Sequence, residues 1–319
     1  MKNENYVLYF YCTLNKKASA GVKTIYKIID CLNKINIPSY IILQNETIDG
    51  IGYEKLDDVN SSFSGKLLTN EMLDKHIKDN KKPIFIYPDT VFNNPFKAEN
   101  ICRLFLYYNG HLTGRSSTKN CENEGHIYFS EQIKKHANFS DTLYSHIICV
   151  PIADERRMKD KNSKSEKRNK IYYYDGKFTK NLNGKIPKNI KKHERLDRDK
   201  KKSLSQNELF EKLSSAKLVH IFEDTALIYE ALLLGCSVNI HPDGAFYKNK
   251  TIVSDHVNLY GTISKRYVDD KDIELSQNDI YKFIEEYKFW EEKGYTQITS
   301  FVNYLNNHKG DFNKSNIRI

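Results

Sequence analysis

Two carboxylates, Glu223 and Glu230, stand in the stretch of this chain best suited to hold a phosphorylated ligand, Phe222-Glu-Asp-Thr-Ala-Leu-Ile-Tyr-Glu-Ala-Leu-Leu-Leu-Gly-Cys-Ser-Val238. An apolar run (Leu218, Val219, Ile221, Phe222) ends in acids and a threonine. A helical run then closes on Gly235, and a strand-like run, Ser237–His241, follows at once. Strand, helix start, helix, glycine stop and strand form the unit from which parallel α/β sheets are built. The helix start presents free N–H groups and a positive dipole end, which suits a phosphate. Glu230 lies inside an otherwise apolar helix. A carboxylate among buried neighbours needs a partner, and a sugar hydroxyl is one candidate.

Such a site needs a scaffold, and the rest of the chain supplies one. Tyr6–Thr13 reads as a strand, the small-residue loop Lys16-Lys-Ala-Ser-Ala-Gly21 follows, and Val22, Ile25, Ile28, Ile29 and Leu32 recur at helical spacing. Pro38 ends that helix before a second strand, Tyr40–Leu43, completing a βαβ unit. The glycine loop is not a GxGxxG fingerprint, so it does not argue for NAD. A short helix over Asn70–Lys78, a strand at Pro83–Tyr87, a helix over Ala98–Tyr108, a strand at His126–Ser130, a helix over Glu131–Ala137 and a strand at Ile147–Pro151 are expected next. This alternation implies a first α/β domain over residues 1–152. The charged, aperiodic stretch 153–170 reads as a linker. A second α/β domain, 171–319, then holds strands at Ile171–Asp175, Lys217–Phe222 and Ser237–His241, with helices Gln206–Ser215 and Thr225–Leu234. Its tail carries an amphipathic helix, with Ile280, Phe283, Ile284, Tyr287 and Trp290 on one face.

Composition narrows the function classes. No apolar run approaches the roughly 20 residues of a membrane helix, and no signal peptide opens the chain, so a cytoplasmic protein is expected. The six cysteines are scattered without a CxxC pair, which points to reduced, buried thiols. The formal charge is +9, but residues 156–202 hold 19 Lys and Arg against 6 Asp and Glu, a balance of +13 that leaves the remainder near −4. A solvated loop, an anionic membrane face and a phosphate-bearing substrate are the three readings of that segment. Nucleic acid is not expected, because the lysines lack interleaved stacking aromatics and Tyr172-Tyr-Tyr174 reads as a buried strand.

Taken together, these pieces resemble the GT-B fold, nucleotide-sugar-dependent glycosyltransferases of the bacterial surface-polysaccharide type. Ala18-Ser-Ala-Gly-Val-Lys-Thr-Ile-Tyr-Lys-Ile-Ile-Asp30, within Tyr9–Leu43, is similar to their opening, and Glu223–Val238 is similar to their donor motif of two acids and a Gly-x-x-Val stop. Lys177, after the Tyr172–Asp175 strand, matches the first loop of their C-terminal domain. The resemblance implies two Rossmann-like domains facing a central cleft. It implies that the loop ending at Gly21 faces phosphates, that Lys177 meets the donor diphosphate, that Thr225 and Ala226 lie beside it, and that Glu230 binds the ribose. One departure stands out: the common pattern has seven residues between the acids, whereas six separate Glu223 from Glu230. Glu230 therefore has the stronger claim.

Sugar transfer from a nucleotide needs the leaving diphosphate neutralised, the acceptor hydroxyl deprotonated and water excluded. Lys177, Arg195 and Arg198 are the first cations to place. Asp89, directly after the Pro83–Tyr87 strand, is the best base candidate, set against an ordinary turn or helix cap. His111, in a glycine-flanked loop, is the runner-up. Arg103 reads more readily as a surface ion pair than as an acceptor ligand, and His241 as a strand end more than a donor-site neighbour. No metal or other cofactor is expected, since no DxD triplet sits in a suitable loop. The expected partners are a nucleotide-sugar donor and a glycan or lipid-linked glycan acceptor of bacterial capsule or lipopolysaccharide synthesis, with peripheral membrane contact through 156–202. A nucleotide-sugar epimerase or hydrolase, and a non-catalytic nucleotide- or glycan-binding protein, are the alternatives.

Overall fold

A computed structural model describes residues 6–12, 20–43, 66–110, 124–137, 139, 142–153, 168–197, 204–245 and 258–308. The chain divides into two compact units, Met1–Pro151 with Glu291–Ile319, and Ile152–Trp290.

The first unit is built on a seven-stranded parallel sheet: β1 (Tyr6–Cys12), β2 (Ser39–Leu43), β3 (Lys66–Leu67), β4 (Lys82–Pro88), β5 (Ile101–Phe105), β6 (Gly125–Tyr128) and β7 (Tyr144–Ile147), in spatial order β3-β2-β1-β4-β5-β6-β7. Its central strands are buried on both faces, as all-parallel sheets require, which is why they read as near-continuous apolar runs. Helix α1 (Ala20–Lys34) turns Val22, Ile25, Ile28, Ile29 and Leu32 onto that sheet. It stops at Asn36, whose φ of 64° and the Ile37 N–H to Leu32 carbonyl bond close its last turn ahead of Pro38. Helices α2 (Asn70–Lys78) and α3 (Glu131–Ala137) fall where the sequence places them.

The second unit holds β8 (Lys170–Tyr174), α4 (Gly176–Asn181), α5 (Lys188–Lys191), β9 (Glu194–Arg195), α6 (Gln206–Ser215), β10 (Ala216–Glu223), α7 (Leu227–Leu233), β11 (Ser237–Ala245), β12 (Thr262–Ile263) and the start of α8 (Asp270–Asn307). Its sheet is also wholly parallel, in order β12-β11-β10-β8-β9. Parallel register brings every strand's carboxyl end to one edge, where loops in such sheets bind ligands. A capping box of Ser205 and Glu208 opens α6. Gly235, at φ 75°, ends α7 with the Cys236 N–H on the Ala231 carbonyl, so the glycine stop legible in the sequence is real.

Three expectations change. Ala98–Tyr108 is not a helix: Ile101–Phe105 is β5, paired with β4 and β6. A short apolar run carries no periodicity that separates a buried strand from a buried helix. The last strand of the first sheet is Tyr144–Ile147 rather than Ile147–Pro151, because beyond it the Cys149 N–H leaves the ladder for the Gln297 side chain, 2.8 Å away. The C-terminal tail does not belong whole to the second domain. Helix α8 runs unbroken from Asp270 to Asn307, and its distal residues Ile298, Phe301, Val302 and Leu305 complete the core around β1 and α1. Its proximal residues Phe283 and Trp290 meet Tyr229 of α7, at 6.3 and 5.3 Å between ring centroids. The five described cysteines are buried and unbridged. Among the described residues, no helix is long and apolar enough to cross a membrane.

Candidate functional site

At the carboxyl edge of the second sheet, β8 ends in Asp175, a buried carboxylate held by Arg195 Nε at 2.7 Å and Thr179 Oγ1 at 2.8 Å. Arg195 also lies 3.6 Å from Asp197. One of the expected donor cations therefore braces the loop after β8. The next residue, Gly176, has φ 46°, and a Cβ there would fall 2.1 Å from the Glu223 carboxyl group. That space is taken because the Glu223 carboxylate reaches across from the end of β10. It accepts the Lys177 backbone N–H at 2.5 Å and the Tyr174 hydroxyl at 3.2 Å. Burial raises the Glu223 pKa, and the Lys177 amide and charge oppose that rise.

Two residues read separately in the sequence thus form one constellation, with Lys177 and Glu223 joined at the sheet edge. The spacing of the two acids does not reveal this bond, because the turn at Gly176 that makes it lies outside the Glu223–Val238 segment. Asp175 and Tyr174 were missed altogether, and the only signal for them was the Asp-Gly pair closing a strand.

Thr225 Oγ1 accepts the Leu227 N–H at 3.4 Å and the Thr225 carbonyl accepts the Ile228 N–H at 3.2 Å, so this residue opens α7. Ala226 already has helical φ and ψ of −59° and −15°. Glu230 lies on the same helix, where every residue from Leu227 to Leu233 is buried. Arg198 and His111 fall outside the described residues, and Gly21, read as the end of a loop, is the second residue of α1.

A buried polar network holds the adjoining edge. Asn239 of β11 donates through Nδ2 to His220 Nδ1 at 3.0 Å and to the Lys265 carbonyl at 2.9 Å, while its Oδ1 accepts the Lys265 N–H at 3.1 Å. Because an amide nitrogen only donates, His220 Nδ1 must be an unprotonated acceptor. Burial, then the neighbouring His241 and His193, lower the His220 pKa to about 4. The folded state binds this proton more weakly than the unfolded chain. The associated stability is therefore full above the unfolded value near 6.5 and is lost as pH falls toward 4, a loss of about 3 kcal/mol. Urea denaturation at pH 7 and pH 4 measures it, and His220→Leu should shrink the difference between the two by about 3 kcal/mol. An unchanged pH dependence in the variant would refute the assignment.

In the first unit, Asp89 follows β4 and is 7% exposed, with its N–H on the Leu104 carbonyl at 2.9 Å. Burial pushes its carboxyl pKa up to about 7, against the opposing pull of the Leu106 and Asp89 amides and of Arg103. Arg103 is no surface residue. It is fully buried on β5 and forms two hydrogen bonds with Glu124, from Nε at 3.0 Å and from a terminal nitrogen at 2.9 Å. Its guanidinium also donates to the carbonyls of Val91 (2.8 Å) and Asn93 (3.1 Å), in the loop that Asp89 begins, and stacks over Tyr87. Asn94 ties the same loop to Tyr87 and Ala98. Among the described residues, no group of three or more His, Cys, Asp or Glu side chains is arranged to hold a metal ion.

The sequence matches no protein-family model and no curated protein. Solved structures do match. The glycosyltransferase WaaG, involved in lipopolysaccharide biosynthesis, aligns over 94% of this chain and 99% of its own, with a TM-score of 0.52 and 9% identity. The chain carries the GT-B fold. GT-B enzymes are built from two Rossmann-like α/β domains, and the two parallel sheets here are those domains. Lower-scoring matches include an α-glucosyltransferase in complex with UDP and mismatched DNA, at TM-score 0.43, 12% identity, 91% of this chain and 94% of that one. T4 phage BGT in complex with UDP-glucose matches at TM-score 0.39, 12% identity and 96% of each chain.

Proposed function

We propose that this protein is a glycosyltransferase that moves a sugar from a nucleoside-diphosphate donor to a glycan acceptor. The observation that carries this reading is the carboxyl edge of the second GT-B domain, where the Lys177 amide, the Glu223 carboxylate and the Thr225-opened α7 lie together. Edges of this kind hold nucleotide phosphates through backbone N–H groups and nearby cations. Lys177 would meet the diphosphate, and Glu230 the ribose. In the first domain, Asp89 would take the proton of the acceptor hydroxyl, a task for which a carboxyl group titrating at about 7 is well matched. The chemistry asks for charge neutralisation and a base, which these residues can supply without a metal or other cofactor.

The surface-glycan part of the reading rests on the likeness to WaaG, a lipopolysaccharide enzyme. Capsule or lipopolysaccharide acceptors are lipid-linked, and the basic segment would hold the enzyme at the cytoplasmic membrane face. In support, Lys180, Lys185, Lys188, Lys191 and Lys192 are all exposed, and no Asp or Glu occurs between Asp175 and Glu194.

Thermal stabilisation by a panel of UDP-, GDP-, CMP- and dTDP-sugars tests the donor assignment. A donor at 100 times its dissociation constant adds about 2.7 kcal/mol. Stabilisation by none of them would overturn the reading.

A further inference from the structure

The edge carries one more group that the proposed reading leaves unused. Strands β10 and β11 keep register up to Ile221 opposite Ile240, and the next pair is Glu223 opposite Ala245. On the other side, β12 pairs with β11 only at Val238 and Asn239. Residues His241 to Gly244 therefore bulge out of the described ladders, a device that re-aims side chains at sheet edges and beside active sites.

His241 opens that bulge. It is 1% exposed, and its ring stacks on Phe222 at 4.5 Å between centroids. Its Nδ1 accepts the Asp243 backbone N–H at 3.3 Å, which places the proton of the neutral ring on Nε2. That Nε2 is shut off from solvent and has no hydrogen-bond partner among the described residues. Burial lowers the ring's pKa, so the imidazole is neutral and the Nε2–H is a fixed donor. The Asp243 carboxylate does not serve it, since it lies 3.9 Å from the other ring nitrogen and accepts from Arg266 at 2.8 Å. A buried donor without an acceptor is costly, and native structures seldom keep one without a use.

We propose that His241 is a donor-binding residue whose Nε2–H takes a phosphate oxygen of the nucleotide-sugar. The assignment rests on the glycosyltransferase reading and extends it to a residue that the donor motif does not include. A phosphate oxygen is the matching ligand atom because His241 stands at the carboxyl edge of the parallel sheet, where such sheets bind ligands, and the nearby Asp243 carboxylate is already matched by Arg266.

The experiment is thermal stabilisation of the full chain by UDP, GDP, CDP and dTDP, by inorganic pyrophosphate and by the corresponding nucleosides, in wild type, His241→Phe and His241→Gln. Phe keeps the stack on Phe222 and removes both nitrogens, whereas Gln keeps an N–H. The unliganded Phe variant should melt close to wild type, because losing an unsatisfied donor offsets losing the acceptor of the Asp243 N–H. Its affinity for the stabilising diphosphate and for pyrophosphate should fall about ten- to a hundredfold, the loss expected for one bond to a charged oxygen. The Gln variant should lose less, and nucleoside binding should not change. Diphosphate affinity in the Phe variant within about twofold of wild type, well short of one hydrogen bond's worth, overturns the assignment alone. A loss confined to the nucleosides moves the contact from phosphate to base and also overturns it. No stabilisation of the wild type by any of these probes overturns both this assignment and the glycosyltransferase reading.

Discussion

Replacing Asp89 with Asn is expected to slow sugar transfer by about 10² to 10⁴, the range over which a positioned general base acts, while donor affinity stays near that of wild type. The carboxyl group sits just past β4 with little solvent contact, and burial pushes its pKa up to about 7. Only the carboxylate can accept the hydroxyl proton. The wild-type rate should therefore rise with pH through about 7 and fall away below it. In Asp89→Asn, whose amide does not titrate, that acidic limb should vanish with most of the rate. A pH–rate profile with the acceptor present measures both effects. Unchanged transfer by the variant would remove Asp89 from the mechanism, and a persistent limb near 7 would assign the titration to another group.

Arg103→Ala should be the most damaging single change to the first unit, at about 3–5 kcal/mol, because it strands the buried Glu124 carboxylate without its partner. It also frees the carbonyls of Val91 and Asn93. In a unit of this size the loss corresponds to a fall in Tm of roughly 6–20 °C. The paired change Arg103→Met with Glu124→Leu removes both charges together and should be far less destabilising, since hydrophobic replacement of a buried pair is often near neutral. Arg103 also anchors the loop that begins at Asp89, so the double variant should still fold yet transfer sugar poorly. Chemical denaturation of the three proteins settles the first point. Equal losses in the single and double variants would show that the stranded charge is not the cause.

The sequence made the repeating grammar legible because parallel sheets write it in strong signals. Buried strands are continuous apolar runs, α1 has a one-sided apolar stripe, and Gly235 marks the end of α7. What stayed hidden depends on partners distant in the chain. Ile101–Phe105 is a strand because β4 and β6 flank it, and its Arg103 is buried because Glu124, Val91 and Asn93 converge on it. The tail divides between two cores because α8 is long enough to supply an apolar face to each in turn. Lys177, Glu223, Thr225 and Asp89 were legible individually as polar types at or just past strand ends. The pairing of Lys177 with Glu223 was not, because their bond needs a left-handed turn at Gly176. The bulge that isolates His241 arises from a register slip between two strands, which no single segment encodes.

The most direct test of the account is release of nucleoside diphosphate from the stabilising sugar donor, followed with and without a lipid-linked or oligosaccharide acceptor. The account predicts release that depends on the acceptor, is matched one for one by glycan extension and is lost in Asp89→Asn. Release at the same rate without acceptor, or extension that survives in Asp89→Asn, would contradict it.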